Sequence, residues 1–254
     1  MSMPYYVAPE QVMKDRAEYA QKGIARGRAL VAASYDRGIL IVTENPSNTL
    51  HKISEIYDRV AFAGVGRYNE FDQLRVAGVR HADTKGYSYS REDVDARSLA
   101  NLYAQYLGQV FTHEMKPLEI EILVAELDPS GTRHQLYHIA YDGTVVDEVG
   151  VTALGGDALT ITSRLSEAYR PGWSLTEAIR SCVGALGGPD RQLAADDLEA
   201  AVLEQGHERR AFRRLRNGEL AELLSGGVEP AAAPDASSHE EEGEPPAVPE
   251  EEGE

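Results

Sequence analysis

Ala29-Leu30-Val31-Ala32-Ala33-Ser34, then Tyr35-Asp36-Arg37-Gly38, then Ile39-Leu40-Ile41-Val42-Thr43: this stretch decides the fold. Two short apolar runs flank a polar segment that ends in glycine, the pattern of a β-hairpin. Lys52 to Ile56 and Arg59 to Val65 repeat the design around Tyr57-Asp58. The main domain therefore opens with four strands in two consecutive hairpins.

Upstream, Met13, Ala17, Ala20 and Ile24 recur at the spacing of one helical face, predicting a helix over 9–26. Pro9 suits a first turn, where its missing N–H would be unpaired anyway, and Gly27 supplies a stop. This helix stands ahead of the domain, so its apolar stripe needs something to lie on. Downstream, Phe71, Leu74 and Gly78 line a helix beginning near Tyr68. A longer one is predicted from Ser90, with Ser90 and Asp93 as a capping box and Leu99, Leu102, Tyr103, Tyr106, Val110 and Phe111 as its stripe.

Strands return at Leu118 to Val124, whose alternation with Glu119, Glu121 and Leu123 predicts one buried face. Gln135–Ala140 and Thr144–Leu154 continue the sheet. Helices follow at about 157–169 and 174–186, the second with a capping box in Ser174 and Glu177 and a stripe of Leu175, Ile179, Cys182 and Leu186. Strands near 198–204 and 209–214 and a small helix at 217–224 close the folded part. Helices thus come in pairs between blocks of antiparallel strands. That order predicts an α+β protein in which two sheets pack face to face under outer helices, a four-layer αββα sandwich; repeated βαβ units would have argued for a parallel sheet.

The 254 residues carry a formal charge of −17, and its location matters more than its size. From Gly226 to Glu254 there are ten acids and no Lys or Arg. That tail, rich in Ala, Pro, Glu, Gly and Ser, cannot bury enough apolar area to offset its ordering entropy and is expected to be disordered; regulatory and solubilising roles both stay open. The rest holds 32 acids against 25 bases, a net charge close to −7 and a poor surface for a polyanion, so no nucleic-acid partner is expected. One cysteine, Cys182, excludes a disulfide framework and multi-cysteine zinc sites and fits a reducing cytoplasm. No apolar run approaches a membrane span, and Met1-Ser2-Met3-Pro4-Tyr5-Tyr6 has no secretory-signal pattern. Cytoplasmic residence without membrane contact is the expectation.

Several long segments carry a resemblance. Pro9 to Ala20, then Lys22-Gly23-Ile24-Ala25-Arg26-Gly27, resembles the N-terminal helix of actinobacterial proteasome α-type subunits. So do Glu44-Asn45-Pro46-Ser47, His51 to Arg59, and Ala100-Asn101-Leu102-Tyr103-Ala104-Gln105. Their order is correct and they span most of residues 4–225. The fold that the resemblance implies, the N-terminal-nucleophile hydrolase sandwich, is the one reached above from pattern. It divides the chain into a gating segment (1–8), a helix for ring contacts (9–26), the αββα domain (27–225) and the acidic tail (226–254).

The resemblance implies a subunit without catalysis. Catalytic members of the superfamily expose a Thr by self-cleavage after a Gly, and its free amine and a nearby Lys activate the hydroxyl. Here Gly27 falls at the cleavage position, but Arg28 follows, and neither Ala29 nor Leu30 could replace the nucleophile. Glu44 and Lys52 stand in the places of the supporting carboxylate and lysine. The resemblance gives Lys52, with Gly27 and Gly66, a different role: an activator pocket for the C-terminus of a hexameric AAA+ ATPase, in which an ammonium meets a carboxylate. An internal ion pair of Lys52 with Glu44 is the alternative.

Pro4, Tyr5, Tyr6, Val7 and Ala8 are expected to form the gate at the ring axis, with simple terminal fraying as the alternative. The Tyr-Asp-Arg that organises the gate in archaeal and eukaryotic α-subunits does not stand near this N-terminus; Tyr35-Asp36-Arg37 and Tyr57-Asp58-Arg59 sit in hairpin turns. Implied partners are neighbouring α-subunits in a heptameric ring, β-type catalytic subunits, the ATPase, and tagged unfolded proteins in transit. An active hydrolase of the same fold is the runner-up, and an adaptor using the acidic tail is a third class.

Other signals are weaker. His134 and His138 are four apart, but their segment reads as strand and no third ligand accompanies them, so no metal is expected. Gly64-Val65-Gly66 lacks the third glycine of a dinucleotide fingerprint, and no cofactor is expected. The basic cluster Arg209, Arg210, Arg213, Arg214 and Arg216 reads as a solvated strand face, with contact to the acidic tail as the alternative. Cys182 reads as a buried core thiol.

Overall fold

A computed structural model describes residues 8–47, 49–128, 130, 133–206 and 210–226. The first hairpin is β1 (Leu30–Tyr35) and β2 (Gly38–Glu44), the second β3 (Ile53–Tyr57) and β4 (Val60–Gly66). Tyr35 pairs with Gly38 and Tyr57 with Val60, so both Tyr-Asp-Arg triplets lie in hairpin turns. The two hairpins enter different sheets. The first sheet runs β10-β9-β2-β1-β8, with β8 at Val151–Leu154, β9 at Leu198–Glu204 and β10 at Phe212–Arg214. The second runs β3-β4-β5-β6-β7, with β5 at Ile120–Glu126, β6 at Gln135–Ile139 and β7 at Val145–Glu148. Every ladder is antiparallel.

Side-chain alternation builds the layers. Along β1, Leu30 and Ala32 point between the sheets, while Val31, Ala33 and Tyr35 point outward beneath α4 (Ala158–Ala168), α5 (Leu175–Gly187) and α6 (Asn217–Ser225). Along β5, Leu123 and Ala125 face the inter-sheet core, while Ile120, Ile122 and Val124 face α2 (Tyr68–Ser88) and α3 (Ala96–His113). The result is the expected αββα sandwich with three stacked apolar layers.

Several local expectations are corrected. β5 is apolar on both faces, because each sheet of a four-layer fold is covered twice. Residues 144–154 do not form one strand: Gly150, at φ +78°, breaks the run, sending β7 to the second sheet and β8 to the first. Helix α3 begins at Ala96 under Asp95, whose carboxylate accepts from the Ser98 amide at 2.7 Å and from Lys85 at 2.7 Å. Ser90 caps only the short 3-10 turn Arg91–Asp93, so α3 is shorter than α2 and not longer. The buried stripe of α3 is Ala96, Leu99, Ala100, Tyr103 and Leu107, whereas Tyr106 is 46% exposed. At the C-terminal end the last strand is confined to Phe212–Arg214 among the described residues.

Helix α1 (Pro9–Ala25) answers what its stripe lies on. Its C-terminal half docks on its own chain: Ala20 and Ile24 are buried in the inter-sheet core. Gln21 donates to the Tyr141 hydroxyl at 3.0 Å. Arg16 donates to the Val110 and Glu114 carbonyls at the C-terminal end of α3, where the helix dipole favours a cation. Val12, Met13 and Tyr19 stay exposed.

Candidate functional site

The turn from α1 into β1 is the centre of the site. The Gly27 amide donates to the Ile24 carbonyl at 2.9 Å, and its backbone then passes over the end of β4. A Cβ on Gly27 would stand 3.5 Å from the Gly66 nitrogen. Gly66 has φ +97°, a conformation that glycine adopts without strain, and a Cβ there would collide with the Glu119 carbonyl. The two glycines are therefore apposed, as a tight crossing of α1–β1 over β4–β5 demands.

Lys52 precedes β3 and reaches the same turn. Its Nζ donates to the Arg28 carbonyl at 3.2 Å, the Glu44 carbonyl at 3.1 Å and the Thr43 hydroxyl at 3.4 Å. All three predicted pocket residues, Lys52, Gly27 and Gly66, thus fall at one corner of the sandwich. The alternative ion pair with Glu44 does not form, since Lys52 takes that residue's backbone carbonyl. The Glu44 carboxylate goes to Arg28 at 2.6 Å and Arg191 at 3.2 Å. Among the described residues Lys52 is bonded only by neutral oxygens, and its charge is unmatched by an ion pair. Burial lowers its pKa to about 8; Glu199 resists that fall, Arg28 adds to it and Glu44 resists it.

The hydroxyl nearest Lys52 is that of Thr43, which is fully buried in the middle of the chain and donates to the Ala29 carbonyl at 2.9 Å. It has neither the free amine nor the access that an N-terminal nucleophile needs. Sequence reasoning missed Arg191 and Glu199. Glu199 shares its strand face with Ala201 and Leu203, which point between the sheets, so an inward-facing carboxylate was the available signal. Arg191 lies in a loop and had no signal.

Of the gate residues, Pro4, Tyr5, Tyr6 and Val7 lie outside the described residues, as do the tail beyond Gly226 and Arg209. Ala8 is the exposed N-cap of α1 and has no side-chain cap to offer. Most of the rest of the basic cluster is not a free face: Arg210 pairs with Glu55, Arg213 with Glu204 and Glu219, and Arg214 with Glu199, while Arg216 is exposed. His138 lies between Glu121 and Glu148 at 3.6 and 3.8 Å. Burial would lower its pKa, but the two carboxylates override that and hold it at about 9. Among the described residues no cluster suits a metal, and no helix is long and apolar enough to cross a membrane.

The fold is an α+β sandwich in which two five-stranded antiparallel sheets pack between outer helices. The family model described as proteasome subunit matches residues 24–199, and the chain belongs to that family. The relatives narrow the assignment. A protein named proteasome subunit alpha from Acidimicrobium ferrooxidans is 62% identical over 232 residues, covering 91% of this chain and all of its own. Its namesake from Nocardioides sp. is 54% identical over 254 residues, covering 98% of this chain and 99% of its own. Another, from Saccharopolyspora erythraea, is 49% identical over 252 residues, covering 96% and 98%. Within the family this is an α-type subunit of the actinobacterial kind.

Proposed function

We propose that the chain is a non-catalytic subunit of the outer proteasome ring in the cytoplasm, where it assembles with neighbouring copies into heptamers and seats them on β-type catalytic rings. Residues 1–8 gate the entry of tagged unfolded proteins, and the corner at Lys52 receives the C-terminal carboxylate of a hexameric AAA+ ATPase. The observation that carries this reading is the Lys52 ammonium, half-buried among three neutral oxygens with no carboxylate partner. A cation so placed has given up hydration without an ion pair, and an incoming carboxylate supplies the missing charge.

Absence of catalysis is supported by what occupies the nucleophile's place. Arg28 follows Gly27, its carbonyl takes the lysine's hydrogen bond, and the chain upstream is packed into the core through Ala20 and Ile24. Lys52→Ala is expected to leave ring assembly intact and to weaken ATPase-stimulated degradation, with roughly 2–5 kcal/mol lost from the docking contact. Unchanged stimulation would refute the pocket. Deleting residues 2–8 is expected to raise peptide hydrolysis by the assembled particle, and no rise would remove the gate.

A further inference from the structure

Lys52 is held from behind by a residue of the opposite sheet. Glu199, on β9 of the first sheet, is buried, and its two oxygens gather donors from three segments. One oxygen accepts from the Lys52 amide at 2.9 Å and the Asn45 side-chain amide at 2.8 Å. The other accepts from the Ile53 amide at 3.2 Å and from Arg214, with the His51 ring at 3.4 Å. Arg214 also donates to the Ile53 carbonyl at 2.7 Å. Glu199 thus pins the first residues of β3, in the second sheet, to the first sheet at the point from which the Lys52 side chain departs.

We propose that Glu199 is a positioning residue for Lys52: it fixes the start of β3 so that the amine reaches the Arg28 carbonyl, and its carboxylate, bonded to the lysine's own backbone amide rather than to the amine, adds negative charge to that corner. The inference rests on the docking role given to Lys52 above. The groups around the amine are Glu199 from β9, Arg28 from the segment before β1, and Glu44 from β2. Arg191 acts through Glu44, and Arg214 and His51 act through Glu199. Glu199 stands first among those that favour the ammonium, against burial and Arg28.

Two variants separate position from charge. In Glu199→Gln one atom becomes an –NH₂ facing donors, and the negative charge is gone. Glu199→Asp keeps the charge but falls one methylene short of the β3 amides. Both are made in the full chain within the assembled particle. The first readout is the pH dependence of Lys52 acetylation by acetic anhydride, followed by mass spectrometry against exposed Lys14. The second is the affinity at pH 6.5 of a peptide copied from the C-terminus of the cognate ring ATPase, compared with its amidated form.

The expected result is an acetylation midpoint near 8 in the wild type, lowered by roughly one pH unit in Glu199→Gln and held in Glu199→Asp. Peptide affinity is expected to fall roughly tenfold in both, the lower end of what outer partners of a binding residue carry in metal sites. An unmoved midpoint in Glu199→Gln, or wild-type affinity in Glu199→Asp, overturns the proposal. Failure of both variants to fold also overturns it, by making Glu199 a residue of stability alone. Should the free and amidated peptides bind the wild type alike, the docking reading falls, while the acetylation midpoint still decides what Glu199 does.

Discussion

Replacing Gly66 by alanine tests the crossing that forms the corner. The residue sits at φ +97°, where an L-residue with a Cβ is strained by about 1–2 kcal/mol. The new methyl would also overlap the Glu119 carbonyl oxygen and stand 3.0 Å from both the Glu119 carbonyl carbon and the Ile120 Cα. These are backbone atoms of a paired strand, with Gly66 opposite Ile120 in the β4–β5 ladder, so no side chain can rotate away. Overpacking of that kind costs about 1–3 kcal/mol more, which brings the expected loss to roughly 2–5 kcal/mol. The assay is urea unfolding of the full-length chain at fixed protein concentration, because association shifts apparent stability. Gly184→Ala in α5 is the control: nothing lies within 4 Å of its Cβ, and losing a helical glycine is expected to stabilise by about 0.5–1 kcal/mol. If Gly66→Ala proved no more costly than the control, the geometry assigned to the corner would be wrong.

His138 provides a pH test. Its folded pKa of about 9 exceeds the unfolded 6.5, so its contribution is complete below 6.5 and is lost as pH rises through 9. His138→Gln should cost about 2–3 kcal/mol at pH 6 and much less at pH 9.5; an equal cost at both values would contradict the arrangement. Lys52, lowered to about 8, acts in the opposite sense between 8 and 10.5, but it does so in both proteins and cancels from the difference. Burial pushes the Cys182 thiol up to about 12, and a thiol-reactive chromophore should leave it untouched until urea unfolds the chain. Rapid labelling of the native chain would place Cys182 outside the core.

The layered fold was legible because period and order both point to it. The two hairpins, the paired helices and the Ser174–Glu177 capping box all stand where their residues put them, the box with both reciprocal bonds formed. Misreadings arose where a local signal competed with a tertiary one. Ser90 and Asp93 have the letters of a cap, but Asp95, tied to Lys85, begins the helix. Thr144 to Leu154 reads as one continuing strand, and only the left-handed Gly150 reveals the change of sheet. At the site, Gly27, Gly66 and Lys52 were identified by resemblance, and the geometry brings them together. Nothing local could show that the Glu44 carboxylate serves Arg28 and Arg191, because one of those partners lies far along the chain in a loop.

The strand order also dictates when each layer can form during synthesis. The second sheet is built from β3 to β7 in unbroken succession, so residues 53–148, with α2 and α3, bring every neighbour of that sheet as they emerge. The first sheet cannot do this. Its founding hairpin is made early, yet Leu30 waits for Leu154 and Thr43 for Glu199. Until β8 and β9 arrive, β1 and β2 present two apolar edges open to any passing strand. The carboxylate that holds Lys52 is delivered by β9, one of the last strands made. A nascent chain therefore completes the corner around Lys52 only when almost the whole domain has left the ribosome, and a truncated product would carry the lysine without the carboxylate that bonds its backbone amide.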